Sequence, residues 1–390
     1  MRETMNSLTN NLKVVFAFSW RLILGKALLL LSFSAFANHH EAVDCPLRDV
    51  AYSVDLPFIE IMLKPEALAV VNKHANGMVD NLPESRKRTE TPSFGSITTL
   101  ERVAEGENIA PDVLQRIDVE LSQLEITDAD RQARCARYSN AEPEFEFGDN
   151  DRNLLVFHKI NGYDHGPSVT AATRAMQSLG EQLGWGVYVT DQPGVFNPET
   201  LSQFDVVVWN NNSGDVLTLS QREAFENYIN SGGAYLGIHG AGGDYLYLWD
   251  WYADRMLGAR FIGHPGGEYH FQDAQVQVED HAGDVAATLA PGWTMKEEWY
   301  SFDRNPRDDG ADVIATLDES TYVPGNNRDL SLSMGEDHPI VWTQCVGNGR
   351  SMYTAIGHRP EVYNIPENLI LLRDGLNWLA NQRTTECASE

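Results

Sequence analysis

Positive charge is scarce in this chain. Lys and Arg together number 29 against 56 Asp and Glu, a formal net charge of −27 at pH 7. Such a surface repels phosphates and anionic headgroups, which argues against nucleic-acid or membrane-surface partners. Strong acidity favours solubility but names no substrate. Long apolar runs are missing as well: ALLLLSFSAFA is short, and Arg21 and Lys26 interrupt the apolar character before it, so it falls short of a bilayer span. Cysteine is limited to Cys45, Cys135, Cys345 and Cys387. None of the four stands at a turn that would present a nucleophile, which argues against thiol catalysis. No internal repeat or low-complexity tract is visible, and a hydrophobic content of 42% with nine Trp requires a folded core.

The first residues read as an address. Lys13, Arg21 and Lys26 lead into the short apolar run, which ends in small residues at Ala35 and Ala37. This is the pattern of a signal peptide over 1–37, and it predicts a secreted protein, periplasmic or extracellular, without membrane attachment once the leader is removed. An even cysteine count in an exported chain predicts two disulfides, Cys45 with Cys135 and Cys345 with Cys387, with free thiols as the alternative.

Residues 41–138 read as a small helical domain. Ile59, Met62, Leu63, Leu68 and Val71 recur at helical spacings around a break at Pro65, and Pro111 opens a second apolar-striped segment. SNAEPEFEFGDNDRN is acidic and apolar-poor, an expected linker over 139–152. From 153 to 382 strands alternate with helices: NLLVFHK, WGVYVTD, FDVVVWNN and AYLGIHG are the strands, and two amphipathic stretches lie between them. This predicts an α/β domain with a doubly wound, mostly parallel sheet of flavodoxin type, whose ligands bind beyond the carboxyl ends of the strands.

The stretch GGAYLGIHGAGGDY stops a buried strand at a small-residue elbow. At such elbows many α/β enzymes carry a Ser or Cys nucleophile; here the residue is His239. Together with LVFHKINGYDH, NNNSGDVLT, WDWYADRMLGARFIGHP, EEWYSF, TLDES, GEDHPIVWTQ and YTAIGH, it makes the chain resemble the trehalose-utilisation (ThuA-like) family over about 152–382. The resemblance implies a fold similar to class I glutamine amidotransferases and a role in sugar metabolism, on oxidised (keto) glycosides. It also implies loss of the amidotransferase cysteine, and His239 agrees, since glutamine hydrolysis needs a thiolate there. Two departures stand out: Asp164 where a basic residue is usual, and glycines after His239 where alanines are usual.

An imidazole at the elbow points into the strand-end crevice and can serve as base or metal ligand. His239, Glu298, His358 and His338 are therefore the catalytic candidates, Glu298 because a carboxylate beside Trp299 and Tyr300 has the setting for acid–base work. His165, Lys159, Asn211, Asp215, Trp299, Tyr300, Asp337 and Tyr363 are the substrate-binding candidates, with Asp337 expected to orient His338. A divalent metal ion is the candidate cofactor, held by His239 and His264, with His270 a weaker neighbour; no spacing identifies the metal. Trp249, Trp251 and Tyr252 are of the sugar-stacking type but read better as core. The expected function is an exported lyase or hydrolase of glycosides or oligosaccharides, 3-keto sugars among them. The alternative is a non-catalytic sugar-binding or assembly module; self-association is left open.

Overall fold

A computed structural model describes residues 43–381 and Cys387. The expected leader over 1–37 lies outside these residues. The strands are β1 (Asn153–Phe157), β2 (Gly186–Thr190), β3 (Val206–Asn210), β4 (Ala234–Ile238), β5 (Phe261–Gly263), β6 (Gln272–Val278) and β7 (Gly292–Glu297). They continue with β8 (Ser301–Phe302), β9 (Asp312–Asp318), β10 (Asn326–Asn327), β11 (Leu330–Ser331), β12 (His338–Val346) and β13 (Gly349–Thr354). Nine of them form one sheet in the order β2-β1-β3-β4-β13-β12-β9-β6-β7, while β5 pairs with β8 and β10 with β11.

The pairs from β2 through β13 are parallel, and those from β13 to β7 antiparallel. Only β12 and β6 therefore run against the rest, and the sheet is mostly parallel in direction. The sequence explains the parallel half. Every residue of β3 and β4 is buried, as an unbroken apolar run covered on both faces must be. The helix Gly166–Leu183 covers the sheet from one side of the connection, and Leu219–Asn230 opens on a capping box between Thr218 and Gln221. The order β2-β1-β3 reverses the winding at β1, so a crevice opens beyond the carboxyl ends of β1 and β3.

Helices at Phe58–Leu63, Pro65–His74, Leu100–Gly106, Pro111–Leu121 and Asp128–Cys135 precede the sheet. Pro65 and Pro111 each sit at a first helical position, where a missing N–H costs nothing. Phe58, Ile61, Val71, Leu100, Val103, Ile117 and Leu121 form a core of their own. Inside this region Glu60 is fully buried, 2.5 Å from Arg137 and 3.3 Å from Arg134, and Arg134 also donates to the carbonyls of Leu47 and Val50. Helices and sheet belong to one compact unit that begins at Val43. Several of the contacts between them fall on the loops leaving β1 and β3. The Ser93 N–H and Ser96 hydroxyl donate to the carbonyl of Asn161, and Tyr138 donates to Asp215 at 2.6 Å.

Residues 139–152 carry no helix or strand, yet they are anchored. Phe145 and Phe147 pack edge-on or tilted against Tyr188 and Phe204 with centroids 4.6–5.9 Å apart. Two phenylalanines in an otherwise acidic stretch hold it on the sheet edge, together with hydrogen bonds from Gly194 to Ala141 and from Gly148 to the Tyr188 hydroxyl. Both expected disulfides are present, Cys45–Cys135 and Cys345–Cys387. Disulfides persist in oxidising compartments, so they indicate a location outside the cytoplasm. Among the described residues no helix is long and apolar enough to cross a membrane.

Candidate functional site

His239 follows β4 directly, with φ at +43°, a left-handed conformation that non-glycine residues avoid. The strain is held by neighbours on both sides. The Tyr353 hydroxyl donates to the His239 carbonyl at 2.9 Å, and the Gly240 N–H donates to Asn211 Oδ1 at 3.3 Å. The imidazole is fully buried, and its Nδ1–H donates to the carbonyl of Ala355 at 2.7 Å. That bond fixes the tautomer and leaves the Nε2 lone pair facing the crevice. The Tyr300 hydroxyl lies 2.8 Å from Nε2, and its ring stacks on the imidazole with centroids 4.2 Å apart.

Glu298 sits at the centre of the crevice, just past β7. Its Oε2 is 3.0 Å from His358 Nδ1 and 3.3 Å from His239 Nε2. Its Oε1 is 3.3 Å from His264 Nε2 and makes a short bond with His270 Nε2. Burial works to raise this carboxyl, but the surrounding imidazoles of His239, His270 and His358 outweigh it and hold it well below the usual carboxylate range. His165, at the start of the helix Gly166–Leu183, completes the cluster with ring centroids 5.0 Å from His239 and 4.9 Å from His358. Its Nδ1 is buried without a hydrogen-bond partner among the described residues. Burial lowers His165 well below, and His239 below, the ordinary imidazole range, so both are neutral near pH 7. The floor of the crevice is thus buried, while His264 and His270 have side chains 29% and 35% exposed and form its mouth.

Several candidates support this cluster from behind. Asn211, with φ at +56°, and Tyr363, which donates to the Gly357 carbonyl at 3.2 Å, brace the elbow and the loop bearing His358. Glu297, the residue before Glu298, accepts the N–H groups of Glu298 and His358 at 3.0 Å and of Arg359 at 3.2 Å. Burial pushes its carboxyl up to about 8 against those bonds. Lys159 follows β1 partly buried, where desolvation lowers its ammonium.

Other candidates stand elsewhere. His338 has both ring nitrogens engaged, Nδ1 with Glu319 at 2.8 Å and Tyr322 at 3.0 Å, and Nε2 with the Tyr300 carbonyl at 2.8 Å. It therefore holds Tyr300 in place and does not reach the crevice. Asp337 pairs with Arg307 at 3.0 Å and Asn305 at 2.7 Å rather than with His338. Asp215 is spent on Tyr138 and Arg222, both at 2.6 Å. Trp299 is buried with its indole N–H on the Gln272 carbonyl at 2.9 Å. Trp249, Trp251 and Tyr252 stack on one another and against the core, as their core reading expects.

The glycines after His239 serve clearance rather than backbone freedom, since none of them has a positive φ. A Cβ at Gly240 would lie 2.9 Å from the His165 ring, at Gly242 2.5 Å from Tyr353, and at Gly243 2.5 Å from the Tyr300 hydroxyl. Asp164, the other departure, accepts the Gly166 N–H at 2.8 Å and places a carboxylate near the mouth.

Asp244, missed in the sequence, ties the loop after β4 to the loop after β3. Its carboxyl bonds the Ser213 hydroxyl and the Gly214 N–H, both at 2.6 Å, and burial pushes it up to about 7. The folded chain therefore keeps a proton that the unfolded chain releases above its ordinary value of 3.8. The associated stability is complete below that value and is lost as pH rises towards about 7. Asp244→Asn should flatten this part of the pH dependence; thermal melts of both proteins from about pH 4 to 8 measure it, and parallel curves refute it.

A search of the curated proteins gives no match. Among solved structures, a ThuA-like protein from Bacteroides uniformis is 22% identical, covers 61% of this chain and 95% of its own, and has a TM-score of 0.51, a likeness of fold. One from Parabacteroides merdae is 18% identical over 60% of this chain and 91% of its own, with a TM-score of 0.45. The family model ThuA, described as trehalose utilisation, matches residues 153–379, more than half of the sequence. The chain belongs to the ThuA family.

Proposed function

We propose that this protein is an exported carbohydrate-active enzyme that cleaves a glycoside by elimination next to a ring ketone. The observation that carries the reading is the buried Glu298 carboxylate ringed by His239, His264, His270 and His358 at the strand ends. The family's description as trehalose utilisation supports a carbohydrate role, and the two disulfides support export.

A ketone acidifies the neighbouring C–H, so a positioned imidazole can remove that proton. Full burial makes His239 part of the floor, and we assign proton abstraction to His270 at the mouth. In the neutral tautomer its Nε2–H donates to Glu298, and Nδ1 keeps a lone pair, the arrangement in which a carboxylate orients a histidine base. The C–H electron pair becomes the new C=C bond at the anomeric carbon as the bond to the glycosidic oxygen breaks. The imidazolium then returns its proton to that oxygen, and no water is consumed. The floor imidazoles and the Tyr300 hydroxyl provide the polar surface for the developing enolate.

Mass-spectrometric analysis of the oxidised protein with plain and 3-keto glycosides in deuterated water tests this. The expected result is cleavage of the keto forms alone, giving an unsaturated product, with solvent deuterium washing into the carbon beside the ketone. Cleavage of plain glycosides with uptake of water overturns elimination. Binding without turnover of any member would make the protein a sugar-binding module instead.

A further inference from the structure

The spacing of the donor atoms in the crevice floor carries more than proton transfer. His239 Nε2, His358 Nδ1 and Glu298 Oε2 form a triangle with edges of 3.3, 3.0 and 3.3 Å. Four ligands around a cation at bonds of about 2.0–2.1 Å stand about 3.3 Å apart. Donor atoms this close are mutually repulsive unless protons or a cation lie between them. With the Nδ1–H of His239 on the Ala355 carbonyl, its Nε2 lone pair faces the triangle, and the proton that can lie against the carboxylate there is the one on His358 Nδ1, which a cation at the centre would replace. His165 offers a fourth donor, and all four ligand atoms lie within 4.8 Å of one another.

We infer that His165, His239, His358 and Glu298 bind one divalent first-row transition cation, a reading that rests on the crevice proposed above as the reaction site. Three further features support it. The Nδ1–H of His239 is fixed on the Ala355 carbonyl at 2.7 Å, the backing that metal-bound imidazoles ordinarily have. Glu298 is held from its other oxygen by His264 and His270, which orient the carboxylate while leaving Oε2 turned inward. The His165 ring is buried in the floor with Nδ1 unpartnered among the described residues, an unusual cost for a polar group that has no further duty. Three imidazoles and one carboxylate suit zinc, cobalt or nickel rather than magnesium or calcium, which favour oxygen ligands. The half-exposed mouth would let a ketone or enolate oxygen approach the bound ion, as a Lewis acid requires.

Cobalt(II) is the probe, because its visible absorption reports both binding and coordination. The full oxidised chain is stripped with chelator, dialysed and titrated with Co²⁺, with metal content measured in parallel. One equivalent per chain is expected, displaceable by Zn²⁺ and accompanied by a rise in melting temperature. His239→Gln and His165→Gln should each weaken Co²⁺ binding by more than about 100-fold. His281→Ala, a surface histidine paired with Glu279 and Asp312, should leave it unchanged. His165→Gln keeps the test decisive should His239→Gln misfold. Absence of tight binding, binding that survives His165→Gln, or two equivalents per chain would each overturn the assignment. Turnover of a keto glycoside by protein that binds no Co²⁺ removes the cation and leaves the proposed function. Stoichiometric Co²⁺ with no turnover on the glycoside panel does the reverse.

Discussion

Glu298→Gln lowers turnover of a keto glycoside about a thousandfold and leaves the fold intact, an effect in the range of a lost acid–base partner. Glutamine matches the carboxyl in size, so the crevice stays filled, but it cannot carry the negative charge that the surrounding histidines share. Glutamine keeps one oxygen and puts an NH2 in place of the other, so either His270 loses the acceptor that fixes its tautomer or His239 and His358 face a donor where an oxygen lay 3.3 and 3.0 Å away. Each imidazole then samples rotamers and tautomers that a preorganised site excludes. Steady-state kinetics with the variant, beside a thermal melt, provide the measurement. A kcat/KM within tenfold of the native value would show that the reaction takes place elsewhere.

Glu60→Gln destabilises the chain by about 3–5 kcal/mol, the usual result of removing one partner from a buried ion pair. Glu60 and Arg134 are essentially inaccessible, and Arg137 is nearly so. Without the carboxylate, Arg134 still satisfies the carbonyls of Leu47 and Val50, but two guanidinium charges remain desolvated close together. Lys73→Ala is the contrast: its pair with Glu120 is largely exposed and screened by solvent, and its loss should barely move the midpoint. Denaturant midpoints of the oxidised proteins measure both, and equal shifts would mean that water reaches Glu60.

What the sequence made legible follows from how local each signal is. Unbroken apolar runs such as VVVWN and AYLGI can only be covered strands, and the Thr218–Gln221 box and Pro111 mark helix starts by chemistry within one turn. The elbow at His239 was readable because strand, turn and small residues are contiguous. His264 and His270 were harder, since their convergence on Glu298 depends on how β5, β6 and β7 are placed, which no short stretch encodes. Neighbouring positions are close rivals: Glu297 and Glu298 are adjacent, Glu298 is the one chosen from its aromatic neighbours, and the end of β7 decides that it faces the crevice while Glu297 grips the backbone of His358. His338 looked equivalent to His358 in sequence, but it starts β12 and props Tyr300 from the far side. The helical region carried no chemical motif, and its grip on Asn161 and Asp215 is a tertiary fact.

The turn after His239 has one further consequence. Its three glycines leave room for rings that belong to distant parts of the chain, so the shape of the crevice is set partly by atoms that are not there. A methyl group added at residue 240 presses on the His165 ring, whose Nδ1 has no hydrogen bond to anchor it among the described residues, before it disturbs the packed strands. Drift at this turn would accordingly surface as altered chemistry ahead of lost stability. In any chain with alanines at these three positions the rings would have to sit differently, by the clearances that the missing methyl groups leave here.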